Sequence, residues 1–233
     1  MDNIKIYICT HKDFIPIVHS DLYEVIDSRN ITPNLPLKDD FYSEFYQFKW
    51  LAEQDNLPEY VGFCHYRRYF GFLDNIPTLT KDKAIATTPM VFDGTVYAHY
   101  DYYHNIEDLD IISDIIDTKY PEYKKTKDEF LNGNMFIPNN MVIMHRDKFK
   151  EYIKFIISIL DEYLKRVGTY IYKRIDENPT KYIKNFYPNN TREYQYRIGG
   201  FLGERLTNIF LFKNFKQVDC YEQIITEEKY DKK

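Results

Sequence analysis

The chain has 233 residues, a formal net charge of −5 and a pI near 5.7, with hydrophobic residues at 44% and aromatic residues at 18%. That length suits one α/β domain with a sizeable core, and the acidic balance excludes a general nucleic-acid binder, whose phosphate contacts require a basic surface. No apolar run approaches the roughly 20 residues of a bilayer-spanning helix, and the N-terminus lacks the basic and apolar regions of a signal peptide, so the expectation is a cytoplasmic protein, at most peripheral at the inner face of a membrane.

Ile4 to Cys9 is a short β-branched and apolar run followed by Thr10, His11, Lys12 and Asp13. It reads as a first strand delivering polar groups at its carboxyl end, or with Thr10 as a helix N-cap. No glycine-rich dinucleotide fingerprint and no P-loop follows, which excludes a Rossmann dehydrogenase or an ATPase and leaves a nucleotide held by side chains. Residues 13–38, with prolines at 16, 33 and 36, read as loop. From Asp39 or Asp40, Phe41, Phe45, Phe48 and Leu51 or Ala52 recur at helical spacing up to Pro58. Tyr42 and Glu44 lie off that stripe, and a surface acid is the plain reading of Glu44.

The central stretch is Tyr60 to Phe70, YVGFCHYRRYF. Val61 to Cys64 reads as a buried strand whose carboxyl end brings His65, Tyr66, Arg67 and Arg68 together, where open α/β sheets bind ligands. Two adjacent arginines among rings point to an anion, with simple solvation of a strand end as the alternative. AIATT, within Lys81 to Thr88, is another strand. Val96 to His104 is a Tyr- and His-rich patch, suited to a sugar acceptor or to a packed loop, ahead of an amphipathic helix with Ile106, Leu109, Ile112 and Ile116 on one stripe. His99 and His104 share no third ligand nearby, so no metal site is expected there.

Asn139 and Asn140 precede a strand, Met141 to Met144, as turn formers or as ligands of hydroxyls. Lys148 to Val167 is the longest helix, with Phe149, Ile153, Ile156, Leu160 and Leu164 on its buried face and Gly168 as its C-cap. Ile183 to Asn190 reads as a flexible loop. In Arg197-Ile-Gly-Gly-Phe-Leu-Gly-Glu-Arg, Gly199 and Gly203 clear one face for a ligand or a packed helix. Glu204 then reads either as a base or as an ion-pair partner of Arg205 or Arg197. The stretch after Thr226 reads as a frayed tail, giving one domain over residues 1–225 and a tail over 226–233. Cys9, Cys64 and Cys220 form no disulfide or metal framework and read as buried thiols of a reducing compartment.

YVGFCHYRRYF, with IKIYICTHKDF before it and NNMVIMHRDKFKEYIKFIISIL and YRIGGFLGERLTNIFL after it, covers most of the chain and resembles a family of bacterial sugar transferases. That family is found in capsular, exopolysaccharide and lipopolysaccharide gene clusters and was long carried only as a domain of unknown function. The resemblance implies one GT-A-type domain, a mainly parallel central sheet with helices on both faces. It further implies transfer of a hexose, galactofuranose among the candidates, from a nucleotide diphosphate sugar to a surface-glycan or lipid-linked acceptor, with a UDP-sugar as the expected donor. It places Thr10 and His11 beside the nucleotide, makes Glu44 a candidate for substrate or for orienting Arg67, and favours Asn140 as a ligand of donor hydroxyls.

In many GT-A enzymes an Asp-x-Asp pair ends the corresponding strand and holds a divalent metal against the diphosphate. Here His65, Tyr66, Arg67 and Arg68 stand in its place, so the arginines are expected to take that electrostatic role with no metal or other cofactor required. By the same analogy an acid after a glycine-containing turn is the base, which is Glu204. The implied site has Glu204 and Asp93 as catalytic acids, with Thr10, His11, His65, Arg67, Arg68 and Asn140 around the donor. Tyr97, His104 and Arg197 are expected around the acceptor. Two other classes stay open: a non-catalytic carbohydrate-binding or interaction module on a degenerate GT-A fold, to which the missing acid pair points, and a phosphate-ester enzyme using the same arginines.

Overall fold

The computed structural model describes residues 3–184 and 190–226. The first half runs β1 (Ile4–Thr10), β2 (Tyr23–Asp27), α1 (Asp39–Tyr42), α2 (Phe45–Ala52), β3 (Tyr60–His65), β4 (Arg68–Phe70), β5 (Lys83–Thr87), β6 (Met90–Val91), α3 (Val96–Tyr103) and α4 (Ile106–Lys119). The second half runs α5 (Lys124–Asn132), β7 (Met135–Phe136), β8 (Val142–His145), α6 (Arg146–Val167), α7 (Ile171–Glu177), α8 (Pro179–Tyr182), α9 (Arg192–Gln195), α10 (Ile198–Asn214), β9 (Gln217–Tyr221) and β10 (Gln223–Ile225). Five residues of the expected loop, 185–189, and the expected tail from 227 onward lie outside the described residues.

The architecture is the expected α/β domain built on one mixed sheet of eight strands. β1 pairs in parallel with β2 and β3, and β5 with β9; these are the long ladders. The shorter β3–β8, β5–β8, β3–β4 and β4–β10 pairings are antiparallel. β6 and β7 form a separate two-stranded ribbon. Strand side chains alternate between two buried faces, as a sheet covered on both sides requires. Tyr7, Cys9, Val61, Phe63, Val142 and Met144 join the core beneath α2, α4, α6 and α10. Ile6, Ile8, Cys64, Ile85 and Ile143 face the other way.

On that second face the expectation of helices is corrected. It is closed by loop residues Val18, Phe72, Leu73, Ile76 and Leu79, because the β1–β2 and β4–β5 connections are loops. Gly62 lies on this face, where a Cβ would come 2.8 Å from the Ile143 side chain. Among the described residues no helix is long and apolar enough to cross a membrane.

Three local departures shape the site. The single helix expected from Asp39 is broken between α1 and α2 by Ser43, whose φ of 51° lies in the left-handed region, and the break turns Glu44 inward. The break nests against α10. A Cβ on Gly200 would lie 2.5 Å from Ser43 Oγ, and one on Gly203 would lie 2.1 Å from the Phe45 ring, so the glycine row serves close helix packing. GGFLGE is therefore the first turns of a 17-residue helix and not a turn before one. The aromatic patch is helix α3, capped by Thr95, whose hydroxyl accepts the Ala98 N–H. Of the cysteines, Cys9 and Cys64 are buried as expected, whereas Cys220 is exposed.

Candidate functional site

Parallel register decides what meets at the sheet's edge. Cys9 lies opposite His65, and Thr10 lies opposite Asp27, so the carboxyl ends of β1, β2 and β3 finish side by side. There is no helix at Thr10; its hydroxyl closes a turn, donating to the Lys12 carbonyl and accepting the Lys12 N–H. His65 pairs with Arg68 across a hairpin whose tip is Tyr66 and Arg67. The tip is tied down when Tyr66 N–H donates to the Cys9 carbonyl and Thr226 N–H donates to the Arg67 carbonyl.

A first cavity of about 440 Å³ opens over these strand ends. Thr10, His11, Ser28, Gln47 and Tyr66 line it, with Asp40 and Glu193 among its acids. Gln47 Nε2 donates to the Thr10 carbonyl, fixing α2 against the end of β1. A second cavity of about 410 Å³ lies under the N-terminal turns of α10 and is lined by Arg68, Glu204 and Arg205 together with rings from His99, Tyr103, His104, Phe136, Tyr194 and Phe201. Glu44, His65, Arg67 and Arg197 line both cavities and form their common wall.

The wall is held by Glu44. Its Oε1 accepts a 3.0 Å hydrogen bond from Asn140 Nδ2 and lies 3.6 Å from His65 Nε2, while Oε2 lies 3.9 Å from Arg197 Nη2. Arg197 Nε in turn donates to Ser43 Oγ at 2.9 Å. Burial pushes the Glu44 carboxyl up, but His65 and Arg197 more than offset it and hold the group down to about 2. Glu44 is thus a buried anion and not the surface acid its place off the apolar stripe implies.

Glu204 is shifted the other way. Its Oε1 accepts the Asn139 N–H and its Oε2 accepts from Arg205 Nη1 at 3.2 Å. Burial raises its carboxyl above the ordinary value against the pull of Arg205, and the nearby charge of Glu44 adds to the rise. Arg205 itself is fully buried between the Tyr100 and Phe136 rings. Burial, and then the charge of Arg67, lower the Arg68 guanidinium against the opposing pull of Glu44 and Glu204. The second cavity carries four arginines against two glutamates. No cluster of three or more His, Cys, Asp or Glu able to hold a metal ion occurs among the described residues.

Of the residues expected at the site, the structure brings together Thr10, His11, His65, Arg67, Arg68, His104, Arg197 and Glu204. Three expectations are corrected. Asn140 lines neither cavity: its Nδ2 donates to Glu44 and its Oδ1 accepts from the Thr207 hydroxyl, which makes it a support of the wall. Tyr97 lies outside both cavities, its hydroxyl donating to Asp110, because it is on the outer side of α3. Asp93 is on an exposed bend before α3, also outside both linings. Sequence reasoning missed Gln47 and Arg205 as candidate site residues and had His99 only as one ring of the Val96 to His104 patch. Gln47 carried no signal beyond its place on a helix, whereas Arg205 was weighed only as a partner of Glu204.

Residues 5–187 match the family described as Domain of unknown function (DUF4422). Among solved structures the chain is similar to one described as the apo structure of WbbM, a bifunctional glycosyltransferase, with a TM-score of 0.76 and 20% identity over 99% of this chain and 46% of that one. The chain therefore spans less than half of that protein, and the likeness is one of fold. No curated protein matches the chain.

Proposed function

The chain belongs to the DUF4422 family, and from the two-part cleft its fold builds we propose that it is a nucleotide-sugar-dependent glycosyltransferase of GT-A type. The observation that carries this reading is the common wall of Glu44, His65, Arg67 and Arg197 between two cavities, at the carboxyl end of β3. Both cavities fall within the roughly 300–1,000 Å³ of small-molecule sites. A nucleotide sugar has a nucleoside and a sugar joined by a diphosphate, and the cleft offers a compartment for each end with cations between. Thr10 and His11 face the nucleoside. Arg67 and Arg197 on the wall, joined by Arg68, meet the diphosphate with charge-assisted contacts. The excess of arginines over glutamates in the second cavity matches the two charges of a diphosphate, which supports a donor held without a divalent ion.

The transferred hexose and the acceptor occupy the second cavity, whose rings suit the C–H faces of sugars. As the acceptor oxygen bonds to the anomeric carbon, its proton passes to Glu204 and the bond from that carbon to the diphosphate oxygen breaks, leaving its electron pair on the diphosphate beside the arginines. The neighbour's description as a bifunctional glycosyltransferase, matched over less than half its length, supports one transferase unit in this chain. A UDP-sugar donor, galactofuranose among the sugars, and a surface-glycan acceptor complete the proposal. Incubating the protein with UDP-, GDP- and dTDP-sugars and a glycan mixture, then reading products by mass spectrometry, tests it. One donor should give a sugar-sized mass gain and the free nucleotide; binding of glycans with no donor consumed would favour an interaction module.

A further inference from the structure

Two histidines of the second cavity have their tautomers fixed by neighbours that can play only one hydrogen-bonding role. The Tyr103 carbonyl can only accept, so the Gln195 atom 3.2 Å from it is the amide nitrogen, which also donates to Asn190 Oδ1. The remaining Gln195 atom, 3.2 Å from His104 Nδ1, is therefore the oxygen, and it requires a proton on Nδ1. That leaves His104 Nε2 as a lone-pair acceptor. His99 is arranged the other way. Its Nδ1 faces Arg205 Nη2 at 3.2 Å, and a guanidinium can only donate, so His99 Nδ1 is the acceptor and the ring proton sits on Nε2.

Neither ring escapes this assignment by taking a second proton at neutral pH. Burial, with the charge of Arg205, holds His99 down to about 4 and His104 well below its ordinary value. Each ring is also fixed in orientation: His99 stacks on Phe92 with centroids 3.9 Å apart, and His104 on Phe201 at 4.0 Å. Both line the same cavity. The cavity lining thus includes one neutral imidazole whose Nε2 is an acceptor and one whose Nε2 carries a proton. A hydroxyl pair on a sugar, in which one group donates while its neighbour's oxygen accepts, is the ligand chemistry complementary to that.

We propose that His99 and His104 form a hydroxyl-reading pair that selects the acceptor sugar, one hydroxyl donating to His104 Nε2 and an adjacent sugar oxygen accepting from His99 Nε2–H. This rests on the reading of the second cavity as the acceptor side. It makes the pair a determinant of acceptor specificity and leaves proton removal to Glu204. A deoxy acceptor missing either oxygen would strand a buried polar atom, the situation in which hydrogen-bonding sites discriminate most strongly.

Nitrogen NMR of the full chain with 15N-labelled histidine, assigned with single His→Gln variants, reads the tautomers directly. At pH 7 the proton should be on Nδ1 of His104 and on Nε2 of His99; the reverse assignment at either ring overturns the proposal. Methyl galactoside, glucoside and mannoside are then titrated with UDP present. At least one should shift both Nε2 signals, and UDP alone should not. His104→Phe, which keeps a ring on Phe201, should weaken that glycoside about tenfold or more, the worth of one buried hydrogen bond, with UDP affinity unchanged. Failure of all three glycosides to bind, binding that leaves both Nε2 signals unmoved, or an equal loss of UDP affinity would each overturn it. Glycoside binding as expected with no nucleotide sugar ever consumed would instead sink the transferase reading and leave the pair as a carbohydrate site.

Discussion

A carboxylate stays ionised in a protein interior only where cations and donors surround it, and Glu44 has His65, Arg197 and Asn140 in those roles. Glu44→Gln keeps the shape and removes the charge, so Arg197 and His65 lose their anchor on the wall. We expect about 2 kcal/mol of stability lost in urea titration and a weaker donor affinity. Arg67→Gln should cost donor binding about 2 kcal/mol, roughly thirtyfold in calorimetry, with the fold intact, and more than Arg68→Gln, because Arg67 lines both cavities and Arg68 only the second. Equal affinity for wild type and both variants would remove the arginines from the donor site. Glu204→Gln should lower turnover about a hundredfold with donor affinity kept. Because only the ionised carboxylate accepts a proton and burial raises its pKa, activity should fall as pH drops through a value above the ordinary carboxylate range, and that limb should vanish in the variant.

At the scale of elements, the break between α1 and α2 and the glycines of α10 are one device. Gly200→Ala brings a methyl to 2.5 Å from Ser43 Oγ and 2.8 Å from Ser43 Cβ, and Ser43 has little room to give because its backbone is already left-handed. A loss of about 1–3 kcal/mol in denaturant titration is expected, together with weaker donor binding, because Ser43 also holds Arg197. An unaltered stability would show that the break is soft. β1, β3, α4 and α6 were legible in the sequence because their apolar periods are strong and their ends carry turn or cap residues. β2 was not: it is an edge strand whose Glu24 and Val25 are exposed, so YEVID carries little hydrophobic signal.

The candidate site was legible where it depends on strand ends, at Thr10, His65, Arg67 and Arg68, and illegible where it depends on helix phase. Reading Val96 to His104 without a helix made its rings equivalent. In α3 the i, i+4 pair His99 and Tyr103 faces the second cavity while Tyr97 turns to Asp110. Asn140 was seen as a ligand because an amide at a strand start could serve a hydroxyl equally well; only the buried bonds to Glu44 and Thr207 assign it to support.

For the molecule as a whole, two histidines held neutral set its response to acid. His99 sits at about 4 against an ordinary 6.5, and His104 is well below its ordinary value, so between 6.5 and 4 the unfolded chain binds protons that the folded chain refuses. The contribution of these two rings should therefore be complete above pH 6.5 and fall as pH drops toward 4, while that of Glu44 is present above 4.5 and is lost as pH falls from there toward 2. Urea midpoints taken across that range should show the decline, and a flat profile would mean that both rings take up protons without cost.

We propose above all that arginines carry sugar transfer here, their guanidinium charge standing in for a divalent metal. The most direct measurement is nucleotide release from the UDP-sugar the protein consumes, followed in excess EDTA for wild type and Arg67→Gln. Wild type should keep most of its turnover in EDTA, and Arg67→Gln should lose it. Abolition by EDTA with recovery on adding Mn²⁺, or release from Arg67→Gln at the wild-type rate, would contradict it.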